Sequence, residues 1–180
     1  MIDDAAVRAL RRLTPTPQIA QVGIIVGDLE RGVAAYHALL GLASWSVYTY
    51  GPGVVRDQTY RGAPAEFSMR VALSASEPVV ELVQPLTGPS VYEEWLAEHG
   101  EGIHHVGVAV PSMPDAVAAA TADGFDLMQS GRGYGVDGDG GFAYLDTYEQ
   151  LRIIVELIEF PERRRTPEDL WFPQEGLRTR

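Results

Sequence analysis

A mainly apolar stretch with two adjacent histidines lies near the middle of the chain, at residues 103–110, and reads IHHVGVAV. β-Branched residues dominate this stretch, a glycine precedes it and Pro111 follows it, which is typical of a buried strand. Side chains alternate between the two faces of a strand, so His104 shares a face with the valines. His105 shares the other face with Gly107, where there is room for something other than a side chain.

The same pattern occurs earlier in the chain, where Gln21 and Gly23 occupy the positions of the second histidine and its glycine. A helical pattern with a capping residue follows each strand, beginning at Asp28 in the first case and at Ser112 in the second. Three more strand patterns follow each helix, so the unit is an internal repeat. We therefore predict an α+β fold in which two βαβββ repeats form an open, barrel-like sheet around a central cleft.

This repeat divides the chain into five segments. They are an N-terminal arm (1–17), a first βαβββ module (18–86), a linking helix (87–100), a second βαβββ module (101–160) and a C-terminal tail (161–180). The tail is predicted to be irregular and to pack Leu170, Trp171 and Phe172 on the body or on a second subunit. The glycine-rich segment 130–141 lacks the Lys-Ser/Thr ending of a phosphate-binding loop, and we expect a flexible loop or lid there.

A glutamate interrupts the apolar run that ends each repeat: Glu81 in VVELV and Glu156 in IIVELI. Burying a bare carboxylate costs on the order of several kcal/mol, so each glutamate faces solvent, pairs with an arginine or binds a cation. Together with Gln21 and His105, the glutamates form a mixed nitrogen and oxygen donor set. Such a set suits a divalent ion with two positions open to water or substrate, and Zn²⁺, Co²⁺, Ni²⁺, Mn²⁺ and Mg²⁺ all fit it. His104 is expected to have a structural role behind this site.

Composition narrows the possible partners. The net charge is −11 and all 14 basic residues are arginine, and an acidic surface repels nucleic acids and anionic lipid. The sequence contains no long apolar run, no signal-peptide pattern and no cysteine, so we expect a cytoplasmic protein without nucleic-acid or membrane partners. The basic run 163–165 is either solvated or holds an anionic part of a substrate.

The motifs resemble those of the vicinal oxygen chelate superfamily, which includes glyoxalases, bleomycin resistance proteins and dioxygenases. The resemblance covers residues 18–160 and is carried by the paired repeat, by ELVQPL from Glu81 onward and by GEGIHHVG from Gly100 onward. In that superfamily the metal ligands come from the first and last strands of each repeat. The resemblance therefore implies a divalent metal ion held by Gln21, Glu81, His105 and Glu156.

The segments around Glu81 and around His105 are similar to those of methylmalonyl-CoA epimerases and their glyoxalase-like relatives, although the epimerases have His at the position of Gln21 and Gln at that of Glu81. The Gln/Glu/His/Glu set is similar to that of zinc-using glyoxalase I. The resemblance implies an isomerase or epimerase that removes a proton next to a carbonyl group through a metal-stabilised enolate. Glu156 is the expected ligand and base. Glu66, near the position of the epimerases' second catalytic carboxylate, is its expected partner.

The expected ligand is a small carbonyl-containing molecule, and the expected assembly is a homodimer. Aromatic side chains offer apolar walls for such a molecule; the candidates are Trp45, Tyr48, Tyr50, Phe67 and Tyr144. Two alternatives stay open: a glyoxalase I-type lyase or other metal-dependent enzyme of the superfamily, and a non-catalytic protein that sequesters a drug in the cleft.

Overall fold

The computed structural model describes residues 18–172, which form one sheet with four helices. The strands are β1 (Ile19–Ile25), β2 (Trp45–Tyr50), β3 (Arg56–Tyr60), β4 (Ala63–Pro64), β5 (Ser68–Leu73), β6 (Val79–Thr87), β7 (Gly102–Ala109), β8 (Leu127–Arg132), β9 (Gly141–Leu145), β10 (Ile154–Glu159) and β11 (Asp169–Trp171). The helices are α1 (Leu29–Leu40), α2 (Val91–His99), α3 (Met113–Ala122) and α4 (Tyr148–Leu151). The predicted arm, 1–17, lies outside the described residues. Within the described part of the chain, every helix is too short or too polar to cross a membrane.

The strand order shows the repeat directly: β11-β2-β5-β6-β1-β7-β10-β9-β8-β3-β4. In the first half β1 pairs in parallel with β6, and in the second half β7 pairs in parallel with β10. The two other strands of each repeat follow in antiparallel pairing, and the halves meet where β1 and β7 run antiparallel. The predicted α+β fold with two βαβββ repeats and an open sheet is confirmed.

Helices α1 and α3 cover one face of the sheet, and polar side chains cap them as the sequence predicts. Asp28 accepts a hydrogen bond from the backbone of Arg31 at the start of α1, and Ser112 accepts one from that of Asp115 at the start of α3. These bonds satisfy amide groups that a helix leaves without partners in its first turn. Each of these two helices packs on its own half of the sheet and belongs to a separate apolar cluster there, whereas α2 contributes Val91 and Tyr92 to the cluster on the other face.

A third apolar cluster lies on the opposite face and surrounds the cleft between the halves. It includes Ile25, Val71 and Val83, whereas their strand neighbours Ile24 and Leu82 belong to the α1 cluster. This division follows from the alternation of side chains along each strand.

The hairpin of β3 and β4 is an insertion between β2 and β5 that was not predicted. β3 pairs with β8, at the far edge of the second half. Its sequence, RDQTY, lacks the apolar alternation of a half-buried strand, which is why the pattern of the chain does not reveal it. Through this hairpin, residues from the first half of the sequence extend the sheet of the second half.

The tail also differs from the prediction. Asp169–Trp171 forms a short edge strand that pairs with β2, with Trp171 opposite Trp45. Phe172 stacks on His37 with ring centroids 4.1 Å apart, whereas Leu170 is 46% exposed. The expected irregular wrap is therefore wrong for these residues, because backbone pairing with β2 fixes them.

Candidate metal centre

Four polar side chains converge at the centre of the sheet. They are Gln21 in β1, Glu81 in β6, His105 in β7 and Glu156 in β10. The strand register brings them together through two glycines. Gly23 lies opposite Glu81 on one side and His105 on the other, and Gly107 lies opposite Glu156 and Gln21 in the same way.

The four side chains are in direct contact and all are buried. Gln21 donates hydrogen bonds from its Nε2 to Oε2 of Glu81 at 2.9 Å and to Oε2 of Glu156 at 3.2 Å. The Nε2 atom of His105 lies 3.2 Å from the same oxygen of Glu81 and 3.3 Å from that of Glu156. The structure therefore brings together all four residues that the sequence suggests as metal ligands.

The two glycines make this convergence possible. A Cβ atom on Gly23 would lie 1.8 Å from Cε1 and 1.9 Å from Nε2 of His105, so the imidazole occupies the place of a side chain. A Cβ atom on Gly107 would lie 2.5 Å from Ile158 and 2.9 Å from Cβ of Gln21. Only glycine, which has no Cβ, allows this close approach.

The donor set fits a divalent cation. Glu81, His105 and Glu156 each offer a ligand atom, and these atoms lie within 4.8 Å of one another. His105 Nε2 is buried between the two carboxylates, yet no acceptor in the described chain has hydrogen-bond geometry toward it. An imidazole nitrogen and carboxylate oxygens suit several divalent metals. Gln21 would contribute its amide oxygen, which requires the amide group to turn over from its present orientation.

His104 lies behind the site and is fully buried. Its Nδ1 is 2.9 Å from Nδ1 of His105, so a hydrogen bond between these nitrogens orients the His105 ring. When Nε2 of His105 serves as a ligand, Nδ1 of His105 carries the ring proton and donates a hydrogen bond to Nδ1 of His104. Burial, reinforced by the neighbouring His105, holds the pKa of His104 well below its usual range, which keeps His104 neutral.

The charges of the site depend on one another. Burial disfavours a charged His105, but the Glu156 and Glu81 carboxylates outweigh this effect and raise its pKa to about 9. Burial raises the pKa of Glu81, and the neighbouring His105 opposes that shift. Without a bound ion, a protonated imidazole would therefore lie between two acidic groups, in the place where a metal cation would balance the same charge.

A cavity of about 50 Å³ adjoins these residues. The residues that line it include Tyr50, Tyr144, Gln21 and both glutamates. Tyr92, which the sequence did not suggest, lies in α2 and donates a hydrogen bond to the hydroxyl of Tyr144 at 3.0 Å. Burial, followed by the charge of Glu156, raises the pKa of Tyr144 far above its usual value, so this phenol keeps its proton.

Tyr134, Phe160 and Arg164 also line the cavity. The lone tyrosine of the sequence GRGYG was the available signal for Tyr134, and the arginine run was the signal for Arg164. Nothing in the sequence pattern marked Phe160.

Several side chains expected at the site lie elsewhere. Glu66 is exposed and lines a separate surface depression beside the β3–β4 hairpin, so it does not reach the two buried glutamates. Trp45 is fully buried in the cluster under α1, on the other face of the sheet. Tyr48 and Phe67 belong to the cluster around the cleft but do not line the cavity.

The fold and the sequence define the class of protein. The family model of the Glyoxalase/Bleomycin resistance protein/Dioxygenase superfamily, which represents the sequences of its members, matches residues 20–144 of this chain. The chain therefore belongs to this superfamily, which confirms the predicted relationship.

Solved structures with the same fold are similar to most of this chain. A hypothetical protein from Bacillus halodurans C-125 has 19% identity and a TM-score of 0.61, with 84% of this chain and 99% of that chain covered. The methylmalonyl-CoA epimerase of Mycobacterium tuberculosis has 21% identity and a TM-score of 0.55, with coverage of 83% and 91%. A mutant 4-hydroxymandelate synthase of Streptomyces coelicolor has 15% identity and a TM-score of 0.56, with coverage of 85% and 51%. At these identities the likeness concerns the fold. No curated protein sequence matches the chain.

Proposed function

We propose that this protein is a divalent-metal-dependent isomerase or epimerase, which removes and returns a proton on the carbon next to a carbonyl group. One observation carries the proposal: two buried carboxylates lie 3.2 and 3.3 Å from an imidazole nitrogen at the end of an aromatic cavity, and no acceptor among residues 18–172 has hydrogen-bond geometry toward that nitrogen. The fold, shared with methylmalonyl-CoA epimerases, is consistent with it. When bound, the metal ion would polarise the carbonyl oxygen and favour the charge that develops as the proton leaves.

In this proposal Glu156 accepts the proton. Its carboxylate lies in a buried site, where little water competes for the proton. Glu81 is then the second catalytic carboxylate, the role that the sequence suggested for Glu66, because it is the other carboxylate beside the cavity. Gln21, which donates to both carboxylates in this structure, would turn its amide oxygen toward the ion. The tyrosines of the cavity exclude water and hold the flat carbonyl group.

The experiment is hydrogen–deuterium exchange at the carbon next to the carbonyl. Zn²⁺-loaded protein is incubated in deuterated water with methylmalonyl-CoA, and with smaller 2-oxo acids as probes. We expect exchange with at least one probe, its loss in Glu156→Gln, and its retention in the matched control Glu66→Gln. Exchange that survives Glu156→Gln would exclude Glu156 as the base.

Elemental analysis tests the metal requirement separately. We expect close to one divalent ion per chain in the wild type and a large loss in His105→Ala. A cavity that binds small molecules equally well without any ion would contradict the proposal and favour a non-catalytic binding protein.

A glyoxalase I-type reaction is the second candidate. The Gln21, Glu81, His105 and Glu156 donor set favours it, because this set of residue types is similar to that of zinc-using glyoxalase I. The assay is conversion of the hemithioacetal of methylglyoxal and glutathione into S-lactoylglutathione, a proton shift between adjacent carbons. Turnover of this substrate, without exchange in the probes above, would favour this candidate over the first.

A further inference from the structure

The chain crosses the mouth of the cavity after β10. We call residues 160–168 the crossing segment; it leads from β10 in the second half to β11, which pairs with β2 in the first half. Phe160 and Arg164 of this segment line the cavity. The family match ends at residue 144, so the crossing segment lies beyond the matched part of the chain.

Contacts at both ends hold the crossing segment. Near its start, the backbone of Glu162 donates to Asp139 at 2.7 Å, and Arg163 donates from its Nε to Asp137 at 2.8 Å. Near its end, the carboxylate of Glu168 accepts hydrogen bonds from the backbone and hydroxyl of Thr49, both at 2.9 Å. The residues between these contacts are therefore held over the cavity.

Three consecutive arginines lie in the crossing segment, and their partners differ. Arg163 pairs with Asp137, and Arg165 donates from its Nε to the backbone carbonyl of Tyr134 at 3.2 Å. Arg164 makes no ion pair or hydrogen bond with any residue from 18 to 172; its guanidinium lies 5.3 Å from the ring centroid of Phe160. Among the described residues, this exposed guanidinium at the wall of the cavity therefore has no ion-pair partner, and the stacked ring limits its orientations.

The charge of Arg164 acts inside the cavity. Burial is the main cause of the raised pKa of Tyr50, and Arg164 opposes that shift. The same opposition is present at Tyr134. In a chain of net charge −11, an arginine without a protein anion in such a place is suited to a ligand anion, since its planar fork matches a carboxylate.

We infer that the substrate carries a carboxylate at the end remote from its reacting carbonyl group, and that Arg164 binds this distal carboxylate at the mouth of the cavity. This inference rests on the proposed function and specifies its substrate class. Arg164 is a specificity-determining residue in this scheme, because it contacts the end of the substrate that does not react. A groove of about 360 Å³ shares Tyr50 with the cavity and is lined by Arg165, Thr166 and Glu168, so a longer acid extends along the crossing segment.

Calorimetric titration of the Zn²⁺-loaded protein with two matched probes tests the inference. 2-Oxoglutarate and 2-oxopentanoate share the 2-oxo acid end and chain length and differ in the distal carboxylate. We expect 2-oxoglutarate to bind about tenfold to a hundredfold more tightly in the wild type, and the preference to disappear in Arg164→Gln. Arg152→Gln is the control of equal charge, since Arg152 is exposed and lies at the end of α4. It should keep the preference.

A third probe, 2-oxo-4-phosphonobutyrate, distinguishes a carboxylate from a phosphate group as the anion. Tighter binding of the phosphonate than of 2-oxoglutarate would overturn the assignment of a carboxylate. Equal binding of the first two probes, or a preference that persists in Arg164→Gln, would overturn the role of Arg164.

Zn²⁺ affinity, measured in the same variants, separates this inference from the proposed function. Wild type and Arg164→Gln should bind the ion equally. If both bind the ion and neither shows the preference, the substrate class is wrong and the metal centre stands. If the wild type binds no ion, the proposed function fails and this inference fails with it.

Discussion

Substitution of Gly23 by alanine tests the geometry of the metal centre without altering any ligand. The new Cβ would lie 1.8 Å from Cε1 of His105, whereas ordinary contacts begin at 3.4 Å. The imidazole would have to move by about 1.6 Å (3.4 − 1.8), far more than the roughly 0.2 Å tolerance of a metal–ligand distance. We therefore expect Gly23→Ala to remove His105 from the ligand set.

The expected magnitude follows from what the site loses. Loss of a group that merely supports a ligand costs about tenfold to a hundredfold in metal affinity, so displacement of the ligand itself should cost at least about a hundredfold. The crowding also costs about 1–3 kcal/mol of folding free energy. This is a fraction of the roughly 5–15 kcal/mol that typically stabilises a domain, and the variant should fold.

The assay is calorimetric titration with Zn²⁺, accompanied by thermal unfolding. Gly102→Ala is the matched control, since a Cβ there would meet no atom within 4 Å. A double-mutant cycle sharpens the test: in a His105→Ala background the ring is absent, so Gly23→Ala should cause no further loss of affinity. A folded Gly23→Ala protein that binds Zn²⁺ within about twofold of the wild type would refute the reasoning.

Three further predictions concern the neighbours of the site. Because His105 has a pKa of about 9 without metal, it must lose its proton to act as a ligand; Zn²⁺ uptake at pH 7 should release close to one proton. Calorimetry in buffers of different ionisation enthalpy measures this proton release. Zn²⁺ affinity should rise toward pH 9 and then level off, and an affinity that does not change with pH would contradict the prediction. His104→Phe keeps an aromatic ring but removes the hydrogen bond to His105, so metal affinity should fall about tenfold to a hundredfold. Equal affinity of the variant and the wild type in a titration would show that His104 does not position the ligand. Glu66→Gln should leave Zn²⁺ affinity unchanged in the same titration, because Glu66 is exposed outside the cavity; a weakened affinity would contradict that placement.

The sequence predicts the repeat and its polar positions well, because both depend on local patterns. The glutamates were recognisable since a carboxylate inside an apolar run needs a partner. The glycine two residues after each polar position was equally visible, and it is what makes room for Gln21 and His105 in the structure.

The substrate pocket was less predictable, because strand alternation separates two sets of side chains without showing which set faces the cleft. Trp45 and Tyr50 lie on the same strand; one packs under α1 and the other lines the cavity. Contributions from distant segments were also hidden. Arg164 reaches the cavity only because backbone pairing of β11 with β2 draws the tail across the cleft.

The pairing of β1 with β7 places the polar residue of each half opposite the glycine of the other half, and the two halves differ in that polar residue: Gln21 is an amide where His105 is an imidazole. The pocket therefore departs from the two-fold symmetry that two identical halves would have. A molecule bound between Glu81 and Glu156 would meet an amide on one flank and an imidazole on the other. Its two orientations across the pseudo-two-fold axis would therefore differ in energy.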